Sequence, residues 1–296
     1  MTSDDRRGRA WMALAATVLL LGACSGGGRP PTAKGHRSPG HERTATPSLP
    51  PSTPHDIVSP PPVEEGRLLL SSGLERPVCG NYHHPPPGCE FGKQFDVEEG
   101  PFGCRTGEGC VRLGRFASKP EQHVHLVRAV SLPDGHAFEG AAHRVPAIEA
   151  GTFPSTGYIQ LMQLSAATKD QGTVPVEVRL YEDRRLGLSQ LDKQKVEMSD
   201  YRTPVDQWFY VVVELSHGVE AAQRMWVFDP DDRLVDGVEL TLNTTTGPNE
   251  SPRQALGGTI PTRRPFDTYV DDWYIATTFM GPLHIGADGT PLTSTG

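Results

Sequence analysis

Two groups of residues in this chain have the types and spacing to do chemistry. The first is a stripe in VPVEVRLY (Val174–Tyr181). Val174, Val176, Val178 and Leu180 fall on one face at a two-residue period, and Pro175, Glu177, Arg179 and Tyr181 fall on the other. Tyr158 and Gln160, in GYIQLMQL, bring a second ring and an amide of the same character. Flat rings flanked by planar hydrogen-bonding groups suit a surface that packs against sugar rings. Tyr210 in WFYVVVEL is a further ring of this kind, while Trp208 beside it reads as core. For proton transfer the available groups are Tyr158, Tyr181 and His125, the last sharing a face with His123 in HVHLVRAV.

The second group is the pair Asp271–Asp272 inside FDTYVDDWYIATTF. Val270, Trp273 and Ile275 suit a core, yet three positions separate Val270 from Trp273, which breaks the two-residue period. An extra residue at Asp271–Asp272, a β-bulge, restores it and leaves both carboxylates near the rim of a sheet. There they can accept backbone N–H groups from loops. The alternative is a metal site, and calcium is the ion such a pair would take. A further acidic set, Asp229, Asp231, Asp232 and Asp236, has Leu234 where a calcium-binding loop of this spacing needs glycine, so it reads as a solvated hairpin turn.

The elements that must position these groups are strands. Besides the stretches above, RMWVFDPDDRLVDG reads as two short strands around an acidic turn. The one candidate helix, Ser189–Ser199, carries no sustained apolar stripe. Many strands with scattered turn signals predict an all-β, antiparallel β-sandwich (jelly roll) over residues 66–296.

Ahead of it, three Arg and an apolar run from Ala10 to Ala23 form an export signal over 1–23, too short to span a bilayer comfortably. Its end, LGAC, resembles the lipobox of bacterial lipoproteins and makes Cys24 the lipidated residue. Residues 24–65 read as a disordered Pro-rich tether: ten of the 41 residues from Ser25 to Glu65 are proline. At about 3 Å per residue it reaches on the order of 100 Å. These features predict a head displayed outward from the cell membrane on a lipid anchor. Setting aside the leader and the charge-balanced tether leaves that head near a net charge of about −9. Such a charge excludes nucleic acid as a partner and disfavours polyanionic glycans. Cys79, Cys89, Cys104 and Cys110 remain for an oxidising compartment, where the neighbour pairing Cys79–Cys89 and Cys104–Cys110 is expected. Zinc held with His83 or His84 is the alternative, but no Cys-x-x-Cys spacing exists.

QWFYVVVELSHGVEAAQRMWVFDPDDRLVDG followed by YVDDWYIATTF resembles the concanavalin-A-like lectin/glucanase jelly roll, in particular its laminin-G-like members. GYIQLMQLSAATKDQGTVPVEVRLYEDRRLGL is similar to the middle of heparin-lyase-I-like polysaccharide lyases. That resemblance implies a histidine two residues after a glutamine. Here Ser165 follows Gln163 and Met162 follows Gln160. The acid pattern of the fold's glucanases is missing as well. The expectation is therefore a monomeric surface module that binds carbohydrate or another envelope component through Tyr158, Gln160, Glu177, Arg179, Tyr181 and Tyr210. A polysaccharide lyase on the same fold is the alternative.

Overall fold

The computed structural model describes residues 56–74, 96–98, 103–107, 109–115, 124–129, 136–168, 172–190, 195–216, 222–241, 253–258 and 262–292. Every regular element among them is a strand. In chain order these are β1 (Leu68–Ser72), β2 (Asp96–Glu98), β3 (Cys110–Arg115), β4 (Val124–Ala129), β5 (His136–Arg144), β6 (Tyr158–Thr168) and β7 (Gly172–Tyr181). They continue with β8 (Arg185–Gln190), β9 (Lys195–Arg202), β10 (Trp208–Ser216), β11 (Ala222–Phe228), β12 (Leu234–Thr241), β13 (Arg253–Gly258) and β14 (Phe266–Ala276). The eight-stranded sheet has the order β12-β11-β10-β5-β14-β3-β2, with β1 also on β14, and the six-stranded sheet has the order β4-β13-β6-β7-β8-β9. All pairings are antiparallel. The expected sandwich is present. The candidate helix at Ser189–Ser199 is instead the end of β8 and the start of β9.

Alternation builds the core between the sheets. Val176, Val178 and Leu180 of β7 meet Phe209, Val211 and Val213 of β10 in one cluster with Val270, Trp273 and Ile275 of β14. The other face of β10 is buried as well. Tyr210 and Val212 join Phe138, Trp226, Tyr274, Phe279 and Ile285 in a second cluster outside the eight-stranded sheet.

Two chain segments lie against that outer face. One is the stretch after β14. The other is Asp56–Glu65, which composition places in the tether. Val58 N–H donates to Gly237 O at 3.1 Å, and Trp226 Nε1–H donates to Val58 O at 3.0 Å. A Cβ on Gly237 would come within 2.5 Å of Val58 O, so the strap needs glycine there. The domain therefore starts about ten residues before the composition change at 66. Proline-rich sequence looks like linker whether or not its backbone finds partners.

The acidic turn also divides. Asp229 and Asp231 do lie in the hairpin, where Asp229 Oδ1 accepts the N–H groups of Asp231 and Arg233. Asp236 does not. It is buried within β12, and its Oδ2 accepts Ser199 Oγ–H at 2.6 Å and the N–H groups of Asp200 and Tyr201 at 2.7 and 3.0 Å. One carboxylate thus ties the two sheets together.

Candidate functional site

The outward face of the six-stranded sheet carries the polar stripe. In the β6–β7 register Tyr158 faces Tyr181, Gln160 faces Arg179 and Gln163 faces Glu177, with a bulge between Gln160 and Met162. The bulge lets both Leu161 and Met162 enter the core while the polar residues on either side stay on the outer face. Glu177 Oε1 accepts a hydrogen bond from Gln160 Nε2, and Oε2 accepts Arg179 Nε–H at 2.9 Å. The Arg179 guanidinium lies 4.1 Å from the centroid of the Tyr158 ring, a cation–π contact. The Tyr158 and Tyr181 rings are 5.6 Å apart. On β8, Gly187 stands opposite Arg179 in the register. A Cβ there would come within 2.9 Å of the Tyr181 ring, so glycine makes room for it.

Burial sorts these groups into floor and surface. Glu177, Gln160 and Arg179 are 0, 3 and 5 % exposed, whereas Tyr158 and Tyr181 are half-buried. Gln160, Glu177 and Arg179 therefore form the floor, and the two tyrosine rings are the accessible surface. Arg179 Nη1 and Nη2 make no hydrogen bond among the described residues. Ser189, buried opposite Glu177 on β8, has a hydroxyl with no partner among them. Burial pushes the Tyr158 phenol above its ordinary value, with Arg179 pulling the other way. The phenol is thus a proton donor at neutral pH.

Tyr210 does not join this group. It sits on the other sheet, fully buried in the second cluster, with its hydroxyl donating to Asp272 O at 2.6 Å. Alternation placed it on an outward face correctly but could not reveal that the chain after β14 covers that face. His125 occupies a β4 position opposite Gly257, and its side chain, like that of His123, lies outside the described residues. The described histidines are on β5 or after β14, away from Tyr158, so no described histidine completes an acid–base pair with it.

The Asp271–Asp272 bulge is present. Pairing of β14 with β5 shifts between Asp271 and Tyr274, and Asp272 adopts φ 48°. Both carboxylates are fully buried rather than at a rim. Asp271 Oδ2 accepts the N–H groups of Arg105 and Thr106 at 2.8 and 3.0 Å, and Oδ1 accepts Asp272 N–H at 2.8 Å. Asp272 accepts Arg105 Nη1–H at 2.7 Å, Thr106 Oγ1–H at 2.9 Å and Ile285 N–H at 2.7 Å. Arg105 Nη2 pairs with Asp232 at 2.5 Å. Sequence reasoning missed Arg105 and its pairing with Asp232, since the two meet only in the fold. The Cys104–Cys110 disulfide, one of the two expected, closes the loop that delivers Arg105 and Thr106. Cys24 and the leader before it, Cys79, Cys89, His83 and His84 lie outside the described residues. A calcium ion at Asp271–Asp272 would have to displace a guanidinium and five other donors. Burial and the neighbouring Asp272 push the Asp271 carboxyl up to about 8, against the pull of its three N–H donors.

No protein-family model matches this chain, and no curated protein matches it in sequence. Solved structures similar to it include an endo-β-1,4-glucuronan lyase from the fungus Trichoderma reesei, at 12% identity and TM-score 0.42, covering 63% of this chain and 89% of that one. A cellulose-induced protein, Cip1, is similar at 13% identity and TM-score 0.49, over 72% and 99% of the two chains. An alginate lyase from a Chlorella virus is similar at 9% identity and TM-score 0.43, over 63% and 90%. These likenesses concern β-sandwich architecture and assign no activity to this chain.

Proposed function

We propose that the protein is a carbohydrate-binding surface module, held outward from the cell membrane by a lipid on Cys24. Its glycan lies across the outward face of the six-stranded sheet. The observation that carries this reading is the arrangement around Arg179. Two half-exposed tyrosine rings form the outer surface, with the buried Arg179 guanidinium against the Tyr158 ring in a floor where Gln160 and Arg179 both bond Glu177. Sugars present apolar C–H faces to aromatic rings, which is what this surface offers. A glycan array probed with the full chain tests it: binding to sugar polymers is expected, and silence across the array counts against it.

The alternative is a glycan-degrading lyase. It draws on the Tyr158–Arg179 contact, since a phenol beside a guanidinium can pass a proton next to a charge stabiliser. Binding is favoured because, among the described residues, no histidine stands beside Tyr158 to serve as the base a lyase needs. Absorbance from unsaturated uronates on incubation with polyuronates would decide for the lyase.

A further inference from the structure

The segment after β14, residues 277–292, closes the second core, with the Phe279 ring 5.1 Å from Trp226 and 5.9 Å from Phe138. Three consecutive residues of that segment dock on the acidic cluster. Leu283 O accepts Arg105 Nη1–H at 2.5 Å. His284 Nε2 lies 2.9 Å from Asp232 Oδ2, and its Nδ1 lies 3.3 Å from Thr106 Oγ1. Ile285 N–H donates to Asp272 Oδ1 at 2.7 Å. Further along, Ser71 Oγ–H donates to Gly289 O at 2.5 Å. Two of the docking partners, Arg105 and Thr106, belong to the short loop that the Cys104–Cys110 disulfide closes.

The two cysteines are held differently. Cys110 is fully buried at the head of β3, where the next residue, Val111, pairs with Val270 of β14. Cys104 is half-buried in a turn between Gly103 and Gly107, both at positive φ. The disulfide therefore staples a small loop to a central strand. Charge makes that staple consequential. Arg105 holds its guanidinium, with the side chain 7 % exposed, between Asp272 and Asp232. Withdrawing the loop would remove that cation together with the N–H groups on Asp271, leaving adjacent buried carboxylates to repel one another. Thiol–disulfide exchange needs one sulfur within reach of an attacking thiolate, and the half-buried Cys104 supplies it.

We propose that Cys104–Cys110 is a redox switch for the docking of residues 277–292. The reductant is a dithiol. Its first thiolate forms a mixed disulfide with Cys104, and Cys110 leaves as a thiolate that takes a proton. The second thiol then closes the reductant's own disulfide and its proton goes to Cys104, so two electrons pass to the protein. The loop lifts Arg105 from the acids, and the segment around Leu283–Ile285 leaves Trp226 and Phe138 uncovered. These rings lie on the other sheet from Tyr158 and Tyr181, so the switch does not rest on the glycan reading.

The test compares backbone-amide hydrogen exchange of the full chain, oxidised and after dithiothreitol, with alkylation confirming the Cys104 and Cys110 thiols. The amides of Ile285 and Leu292, which donate to Asp272 Oδ1 and His284 O, should exchange at least about tenfold faster after reduction, while those of β7 keep their rate. The Cys104→Ser/Cys110→Ser double variant should show the same pattern without reductant, which separates this bond from any that Cys79 and Cys89 form. Arg105→Ala should release the same amides with the bond intact. A bond that resists dithiothreitol in the native protein, unchanged exchange in the segment once both thiols are alkylated, or equal acceleration in β7 would each overturn the proposal. So would an Arg105→Ala segment as protected as in the wild type.

Discussion

Two polar clusters of this sandwich look alike in sequence and differ in how completely they are paired. Around Asp271 and Asp272, six hydrogen bonds from four residues, Arg105, Thr106, Ile285 and Asp272 itself, fill the two carboxylates. Around Glu177 the carboxylate is filled too, but Arg179 keeps two unbonded nitrogens and Ser189 an unpaired hydroxyl among the described residues. A closed network holds loops to a strand. An open one leaves buried donors unfilled beneath half-exposed tyrosine rings, and those rings are the part that can meet a ligand. Composition cannot tell these apart, since both are acids and arginines beside aromatic residues.

The largest effect should come from breaking the closed cluster at its cation. Arg105→Ala leaves the fully buried Asp272 without its counter-ion and Asp232 with its His284 contact at 2.9 Å, and should cost about 3–5 kcal/mol of stability. Asp271→Ala or Asp272→Ala strands buried donors and should cost about 1–3 kcal/mol each, read as a fall in melting temperature. Calcium should change neither the wild-type nor the variant melting point. A calcium-dependent rise in the wild type that vanishes in the variants would instead make this a metal site.

A pH effect comes next. The Asp271 carboxyl is raised in the folded state from 3.8 to about 8, so between those values the native protein holds a proton that the unfolded chain gives up. Stability contributed by this group is therefore present in acid and falls as pH rises from about 4 to 8. Glu139, fully buried with one oxygen on Trp273 Nε1–H at 2.9 Å and the other unpaired, is pushed up by burial and adds in the same direction. Glu139→Gln should flatten the stability profile across neutral pH, and a profile no flatter than wild type would contradict this assignment.

The smallest effect sharpens the comparison from the open side. Ser189→Ala removes a buried hydroxyl that has no partner among the described residues, so the change should be neutral or stabilising by about 0–1 kcal/mol. A clear loss of stability on denaturant titration would show that this hydroxyl is bonded and the cluster closed.

Much of the fold is legible in the sequence, and the failures share a cause. The period break between Val270 and Trp273 marks its bulge through local pattern alone. Leu161–Met162 breaks the period in the same way, and only the register between β6 and β7 shows that the break is again a bulge. Alternation assigns Tyr158, Arg179 and Tyr181 to one face. It misplaces Tyr210 among the ligand contacts because a second core, closed by Phe279 and Ile285 from after β14, lies on what alternation reads as an exposed surface. The strap at Asp56–Glu65 and the Arg105–Asp232 pair depend on contacts over a hundred residues or more, which local pattern does not encode.

The central claim is that the open cluster, not the closed one, meets a glycan. The direct measurement is calorimetric titration of wild type and Tyr181→Ala with the oligosaccharide that binds best on the array. The account predicts that affinity falls at least about tenfold in Tyr181→Ala while the melting temperature stays within a few degrees of wild type. Equal affinity in the two proteins, with the fold intact, would contradict it.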